Sequence, residues 1–484
     1  MSRRSSPRRA LAALALAIAI PSGAQAPSPS AVGEWLGTLT GAGVPLRVGF
    51  SIRARPDGAL EADLDSYDQG AMDIPADSAR QRGDTVRIWI RRIAGAYQGT
   101  LSPDGRTLTG TWTQGPRSTP FVLTRADSAA LAAARPRRPQ EPTGPLPYDA
   151  EEVSFESAPG VRLAGTITRP RAPGRFPAVI LVSGSGPQDR DEALLGHRPF
   201  LVLADHLTRS GIVVLRYDDR GTAKSTGRFA AATSADFAAD ARAALALLRS
   251  RPEVRPGAVG VVGHSEGGLI APMVAQGPGA ADFIVLLAGP GIAGDSILLL
   301  QSDLIAKANG TPDSVRARSA GMSRALYAAV RETPDSARLA ARLREMVAEL
   351  TPAQRAQAGL TEPAVEALVG QVTSPWFRYF LVHDPAAELR RVRVPVLALN
   401  GTLDLQVPYR ENLSAIARAL REGGNRQFEA DSLPGLNHLF QTSRAGTGAP
   451  SEYAQLEETM SPAALQRVSS WILRRFPPGV TKDR

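Results

Sequence analysis

One stretch restricts the possible folds more than any other. Val259-Gly260-Val261-Val262 runs into Gly263-His264-Ser265-Glu266-Gly267-Gly268, and Leu269 to Val274 follow with helix-forming character. The apolar run reads as a buried strand and the serine as the centre of G-x-S-x-G. Flanking glycines let the chain turn sharply from strand to helix, which sets the serine Oγ at the top of a sheet on strained backbone. The bare pattern also arises by chance, and a glycine-rich strand-to-helix turn of no catalytic meaning satisfies it. The strand before it and the helix after it are the context that a nucleophile requires.

The chain around this turn has 484 residues, too many for one hydrophobic core, so two or three domains are expected. Arg3, Arg4, Arg8 and Arg9 precede the apolar run Ala10 to Ile20, and Ala24-Gln25-Ala26 offers a cleavage site. Residues 1–26 therefore read as a secretory signal peptide, and the protein as exported to the periplasm or beyond the cell. From about residue 31 to 125 the pattern is all β. Leu46, Val48, Phe50 and Ile52 alternate, as do Val86, Ile88 and Ile90, and Pro56-Asp57-Gly58 and Pro103-Asp104-Gly105 are hairpin turns. Trp35-Leu36-Gly37-Thr38-Leu39 resembles Tyr97-Gln98-Gly99-Thr100-Leu101. A small antiparallel barrel or sandwich is expected there. Residues 126–147 open with a short helix, and five prolines between Arg135 and Pro147 mark a stiff linker and a domain boundary.

From residue 148 to 484 strands alternate with helices. After an opening antiparallel pair, Val153 to Phe155 and Val161 to Thr168, the apolar runs at Ala178, Ile212, Val259, Phe283 and Val394 and a shorter one at Gln427 make a mostly parallel sheet covered on both faces. Between the runs at Phe283 and Val394 lie about a hundred residues where a crossover needs roughly a dozen. That insertion, about 292–390, reads as a helical lid, with Thr311, Thr333 and Thr351 each set before a proline as a cap. It ends in Trp376-Phe377-Arg378-Tyr379-Phe380. Those aromatics fit either the lid's own core or the lining of an acyl pocket, Trp376, Phe377 and Phe380 being the candidates.

Composition excludes several classes. With no cysteine there are no disulfides, no thiolate metal sites and no cysteine nucleophile. The formal charge of +9 falls to +5 without the four N-terminal arginines, and the basic residues are interleaved with acids rather than clustered. A nucleic-acid partner is not expected. No apolar run after the N-terminus spans a bilayer.

A serine needs a base, and the base an orienting acid. Of five histidines, His438 lies in a loop after the last strand, where a sheet of this kind presents its base. His197 and His383 are weaker candidates, His206 belongs to a helix, and His264 should turn away to support the serine turn. Asp404 directly follows the strand at Val394, with Asp384 and Asp431 as alternatives. Asp404 also suits a helix cap, and His438 a buried loop position. Together Ser265, Asp404 and His438 stand in the order expected of one hydrolase class. Oxyanion donors are expected from the Glu266 amide and from Gly184, Ser185 and Gly186.

Ser183-Gly184-Ser185-Gly186-Pro187-Gln188-Asp189-Arg190-Asp191, Asp219-Arg220-Gly221, the Ser265 turn, Asn400 to Asp404 and Gly435 to His438 resemble the α/β-hydrolase superfamily. In detail they are similar to bacterial EstD-like carboxylesterases related to serine aminopeptidase-type hydrolases. The resemblance implies an α/β-hydrolase fold with a β domain before it, and a cofactor-free, metal-free serine esterase acting on a small ester. Ser183 stands where many relatives carry a histidine, and Ala223 replaces a glycine. An amide-cleaving aminopeptidase is the alternative, with the Glu266 carboxylate receiving a substrate ammonium or instead paired with Arg190. A catalytically inactive binding protein is a third.

Overall fold

The computed structural model describes residues 29–40, 45–115 and 117–479, so the signal peptide expected at 1–26 lies outside the described residues. The chain divides into two compact units. Among the described residues, one comprises those up to 64 and from 74 to 127, the other those from 65 to 73 and from 128 onward.

In the first unit nine antiparallel strands between Gly33 and Arg125 form one sheet, and an additional pairing of the second strand with the third closes it into a barrel. Alternation places one face of each strand inside. Trp35 and Tyr97, from the two similar pentapeptides, are both fully buried. Tyr97 meets Phe50 at 5.7 Å and Phe121 edge-on at 5.9 Å. Both expected hairpin glycines, Gly58 and Gly105, adopt positive φ.

The second unit is built on eight strands: β1 (Tyr148–Ala158), β2 (Val161–Pro170), β3 (Phe176–Val182), β4 (Val213–Tyr217), β5 (Val254–His264), β6 (Phe283–Leu287), β7 (Val396–Gly401) and β8 (Phe428–Leu433). Their order across the sheet is β1-β2-β4-β3-β5-β6-β7-β8. The pairings β1–β2 and β2–β4 are antiparallel and the rest parallel. This is the sheet of an α/β-hydrolase. β3 is buried along its whole length because both faces are covered. Val179 and Leu181 pack under the helices Pro199–Arg209 and Pro462–Arg475. Ala178, Ile180 and Val182 face Ser234–Arg249, Glu266–Val274 and Tyr409–Glu422 on the other side.

The insertion is helical from Gly294 to Leu389, in seven helices. Its core gathers Tyr327, Val330, Leu339, Leu343, Phe377 and Leu381. Of the three expected caps only Thr351 acts as one, in a capping box with Gln354. Thr333 ends the preceding helix while Asp335 caps the next, and Pro312 rather than Thr311 stands at the start of its helix. A proline cannot be counted as the first helical residue when the chain turns one residue later.

The proline-rich segment is not a free spacer. The unit boundary falls between Asp127 and Ser128, and residues 128–147 belong with the hydrolase unit. The Arg138 guanidinium donates to the Ala454 and Leu456 carbonyls, both at 2.8 Å. Gln140 donates to the Met460 carbonyl and accepts from the Thr459 amide.

Candidate active site

Ser265 stands between β5 and the helix Glu266–Val274 at φ 52°, ψ −117°. A non-glycine residue held there costs about 1–3 kcal/mol, so the surroundings must impose it. They do. The Ser265 amide donates to the Leu287 carbonyl at 2.8 Å, and its carbonyl accepts from Gly268. A Cβ on Gly267 would lie 2.0 Å from the Val182 carbonyl oxygen, and one on Gly263 equally close to that of Gly267. Only glycine permits this turn beside β3. Glu192, Ala223, Ala288 and Phe440 are further positive-φ residues in the loops at these strand ends.

Asp404 and His438 meet as their positions after β7 and β8 require. His438 Nδ1 is 2.9 Å from Asp404 Oδ2. Asp404 Oδ1 accepts from the Gln406 and Val407 amides, both at 2.8 Å, and Asn400 Nδ2 donates to Oδ2. The acid is thus fixed in plane and excluded from solvent. The two loops are tied together, Leu403 N–H donating to the Leu436 carbonyl and Gly435 N–H to the Thr402 hydroxyl. Ser265 and His438 line one cavity of about 380 Å³ with Gln406, Ile297, Trp376 and Phe380. Among the described residues the Ser265 hydroxyl makes no hydrogen bond to His438, a contact that substrate-free hydrolases often complete only in complex.

The amides expected to hold an oxyanion divide. Gly184 N–H is engaged, donating to Glu192 Oε1 at 2.7 Å, and so leaves the expected set. The Glu266 amide opens its helix, and Ser185 and Gly186 follow Gly184 on the same loop. A Cβ on Gly184 would come within 3.2 Å of Ser265 Cβ, which places that loop against Ser265. Ser183 donates to Asp219 at 3.2 Å. Burial pushes the Asp219 carboxyl up to about 8, with the Glu266 and Glu192 charges acting in the same sense.

The Glu266 side chain does not pair with Arg190. It is buried, accepting from Ser234 Oγ at 2.6 Å and from the Trp376 indole at 2.8 and 2.9 Å. Burial raises its pKa above the usual carboxylate range. Arg190 instead forks onto Asp218 and reaches Glu152. Asp191 pairs with Arg216, and Asp189 caps the amides of Asp191 and Ala193. The motif after β3 is thus a set of struts that fix this loop to β4.

The aromatic run splits by helical face. Trp376 and Phe380, four residues apart, stack at 5.2 Å and line the cavity. Phe377, expected in the pocket, turns into the lid core. Tyr379 stacks on His383 at 5.2 Å.

His197 is buried between Thr459 Oγ1 and the Tyr453 carbonyl, and His206 contacts Ser469. Asp384 caps a short lid helix and Asp431 is bound by Arg467, and neither pairs with His438. His264 does not turn away into a bare supporting role. Its Nδ1 lies 2.8 Å from Glu192 Oε1 and its Nε2 3.1 Å from the His438 carbonyl oxygen. Sequence reasoning passed over Glu192, and its place directly after the strut motif was the available signal. Among the described residues no group of three or more His, Cys, Asp or Glu is placed to hold a metal, and no helix is long and apolar enough to cross a membrane.

Comparison with known proteins gives three findings. The model of the X-Pro dipeptidyl-peptidase (S15) family matches residues 159–430, a span that holds Ser265 and Asp404 and ends before His438. Esterase EstD of Thermotoga maritima is 24% identical over 330 residues, covering 68% of this chain and 69% of that protein. Similar solved structures include the Pyrococcus furiosus esterase Pf2001 (TM-score 0.42, 15% identity, 68% of this chain and 92% of that one). Another is a proline iminopeptidase of Mycobacterium smegmatis (TM-score 0.41, 15% identity, 67% of this chain and 98% of that one).

Proposed function

The chain belongs to the X-Pro dipeptidyl-peptidase (S15) family, and from that premise we propose that it is an exported serine hydrolase cleaving carboxylic esters through an acyl-enzyme on Ser265. The observation that carries the reading is His438, held by Asp404, lining the same cavity as a serine held at positive φ after a buried strand. Ser265 Oγ attacks the ester carbonyl while His438 Nε2 takes its proton. Asp404 holds His438 with Nδ1–H inward and stabilises the imidazolium. The Glu266 and Ser185 amides receive the oxyanion. The tetrahedral adduct collapses, His438 passes the proton to the departing alcohol, and water then repeats the sequence on the acyl-enzyme. Trp376 and Phe380 bound the acyl side of the cavity.

Esters are favoured over N-terminal peptides by the two cavity carboxylates. Glu192 is engaged with His264 and Gly184, and Glu266 with Trp376 and Ser234. An aminopeptidase needs an accessible acceptor for the substrate ammonium; both Glu266 oxygens are taken by Ser234 and Trp376, and Glu192 is buried. The test compares p-nitrophenyl esters with aminoacyl and Xaa-Pro p-nitroanilides. Faster ester turnover, with a fluorophosphonate labelling wild type but not Ser265→Ala, supports the reading; dominant anilide cleavage replaces it with the peptidase. Export rests on the N-terminal arginines, apolar run and Ala-x-Ala site. Recovery of the protein outside the cytoplasm with a mature N-terminus near residue 27 is the expected result, and an intact Met1 in the cytoplasm overturns it.

A further inference from the structure

The three parts of the catalytic site arrive on three separate loops. The oxyanion loop follows β3, the nucleophile turn follows β5 and the base lies beyond β8. One side chain touches the first two and, through His264, is linked to the third. Glu192 is 2% exposed and sits at φ 51°, an uncommon conformation for a residue with a side chain. Its Oε1 accepts from the Gly184 amide at 2.7 Å and faces His264 Nδ1 at 2.8 Å. His264 Nε2 faces the His438 carbonyl oxygen at 3.1 Å, and the two rings lie 4.9 Å apart. We propose that Glu192 is a positioning residue for the hydrolysis, setting the register of the oxyanion loop, the nucleophile turn and the base loop through His264; this rests on the ester-hydrolase reading above.

A backbone carbonyl only accepts, so His264 Nε2 carries a proton, and Nδ1 shares one Glu192 oxygen with the Gly184 amide. Burial opposes a charge on His264, yet the Glu192 carboxylate outweighs it and raises the His264 pKa. Glu192 Oε2 is buried without a hydrogen-bond partner, so the whole link runs through Oε1. Removing one member of such a pair strands the other in a dry site. Ser185, whose amide is assigned to the oxyanion, is the residue next to Gly184. Holding the Gly184 amide therefore orients the next peptide in the loop. A contact that matters to the oxyanion strengthens only in the transition state, so its loss lowers kcat and leaves KM.

The test measures p-nitrophenyl ester kinetics, thermal unfolding and the affinity of a trifluoromethyl ketone carrying the same acyl chain. Glu192→Ala is expected to lower kcat about 100-fold, the scale of losing one oxyanion donor, with KM within about twofold. The ketone should weaken by the same factor as kcat/KM. Glu192→Gln keeps the side chain's length and an oxygen at the Oε1 position that accepts from Gly184, and its kcat should fall less than about 10-fold. His264→Gln, which cuts the other end of the link, should resemble Glu192→Ala, and the double variant should be no worse than either alone. It also serves if Glu192→Ala does not fold. Wild-type kcat in Glu192→Ala overturns the proposal. So does a loss that follows thermal stability with Glu192→Gln no better, or fully additive effects of the two single changes. If wild type itself neither turns over esters nor is labelled by a fluorophosphonate, the ester-hydrolase reading fails instead.

Discussion

At the residue scale, Asp404 offers different partners at its two oxygens. Oδ1 serves two backbone amides and Oδ2 serves Asn400 and His438. In Asp404→Asn the Oδ1 bonds survive while an NH₂ replaces Oδ2. That group opposes the Asn400 donor and forces the wrong tautomer on His438, so kcat should fall about 10³–10⁴-fold in steady-state assays at little cost in folding. His197 gives a prediction in pH. Burial, then the nearby Arg138 charge, lowers its pKa to about 4, against the hydrogen bond from its ring to Tyr453. Between pH 6.5 and 4 the unfolded chain binds a proton there that the folded chain does not, so stability falls as pH falls through this window. The loss amounts to about 3 kcal/mol. Thermal unfolding of His197→Gln should show a flatter pH slope from 6.5 to 4 than wild type. Ser265 and Asp404 were legible because each follows an apolar run and His438 because it lies in the loop after the last strand, whereas Glu192 was not. Its partner His264 is 72 positions away, and a loop glutamate carries no local pattern.

At the element scale, the helix Pro375–Val382 joins the lid to the site by a single face. Trp376 and Phe380 share it, and a step of one residue rotates Phe377 by about 100° into the lid. Phe380→Ala should therefore alter the ester chain-length profile. Phe377→Ala should leave the profile unchanged and lower stability in denaturant by about 3 kcal/mol, typical for a buried aromatic truncated to alanine. Four-residue spacing was available in the sequence to separate these side chains, but aromatic composition alone did not. The strands of the sheet were readable for the opposite reason: burial on both faces leaves them continuously apolar. Caps were less readable. A Thr-Pro pair fits both a helix start and the end of the helix before it, and the chain uses both. Ala223 adopts φ 46°, so that loop holds a left-handed residue despite the side chain.

At the scale of the whole molecule, the division into units falls earlier than the prolines suggested. Proline marks stiffness, which suits a segment docked by Arg138 and Gln140 as well as it suits a spacer. A chain beginning at Tyr148 should unfold at a lower temperature than one beginning at Ser128, because it lacks those bonds to residues 454–460; equal melting would remove their structural role. The barrel's closure lay beyond the alternation of its strands, since only the pairing of the second and third distinguishes it from a sandwich. Tryptophan placement carries a practical consequence. Of the five, Trp35, Trp112 and Trp471 are buried in packed cores and Trp89 is exposed on the barrel. Trp376 alone rests its indole N–H on a carboxylate beside the nucleophile. With the other four replaced by phenylalanine, its emission becomes an optical gauge built into the site, shifting when an occupant of the cavity separates the indole from Glu266.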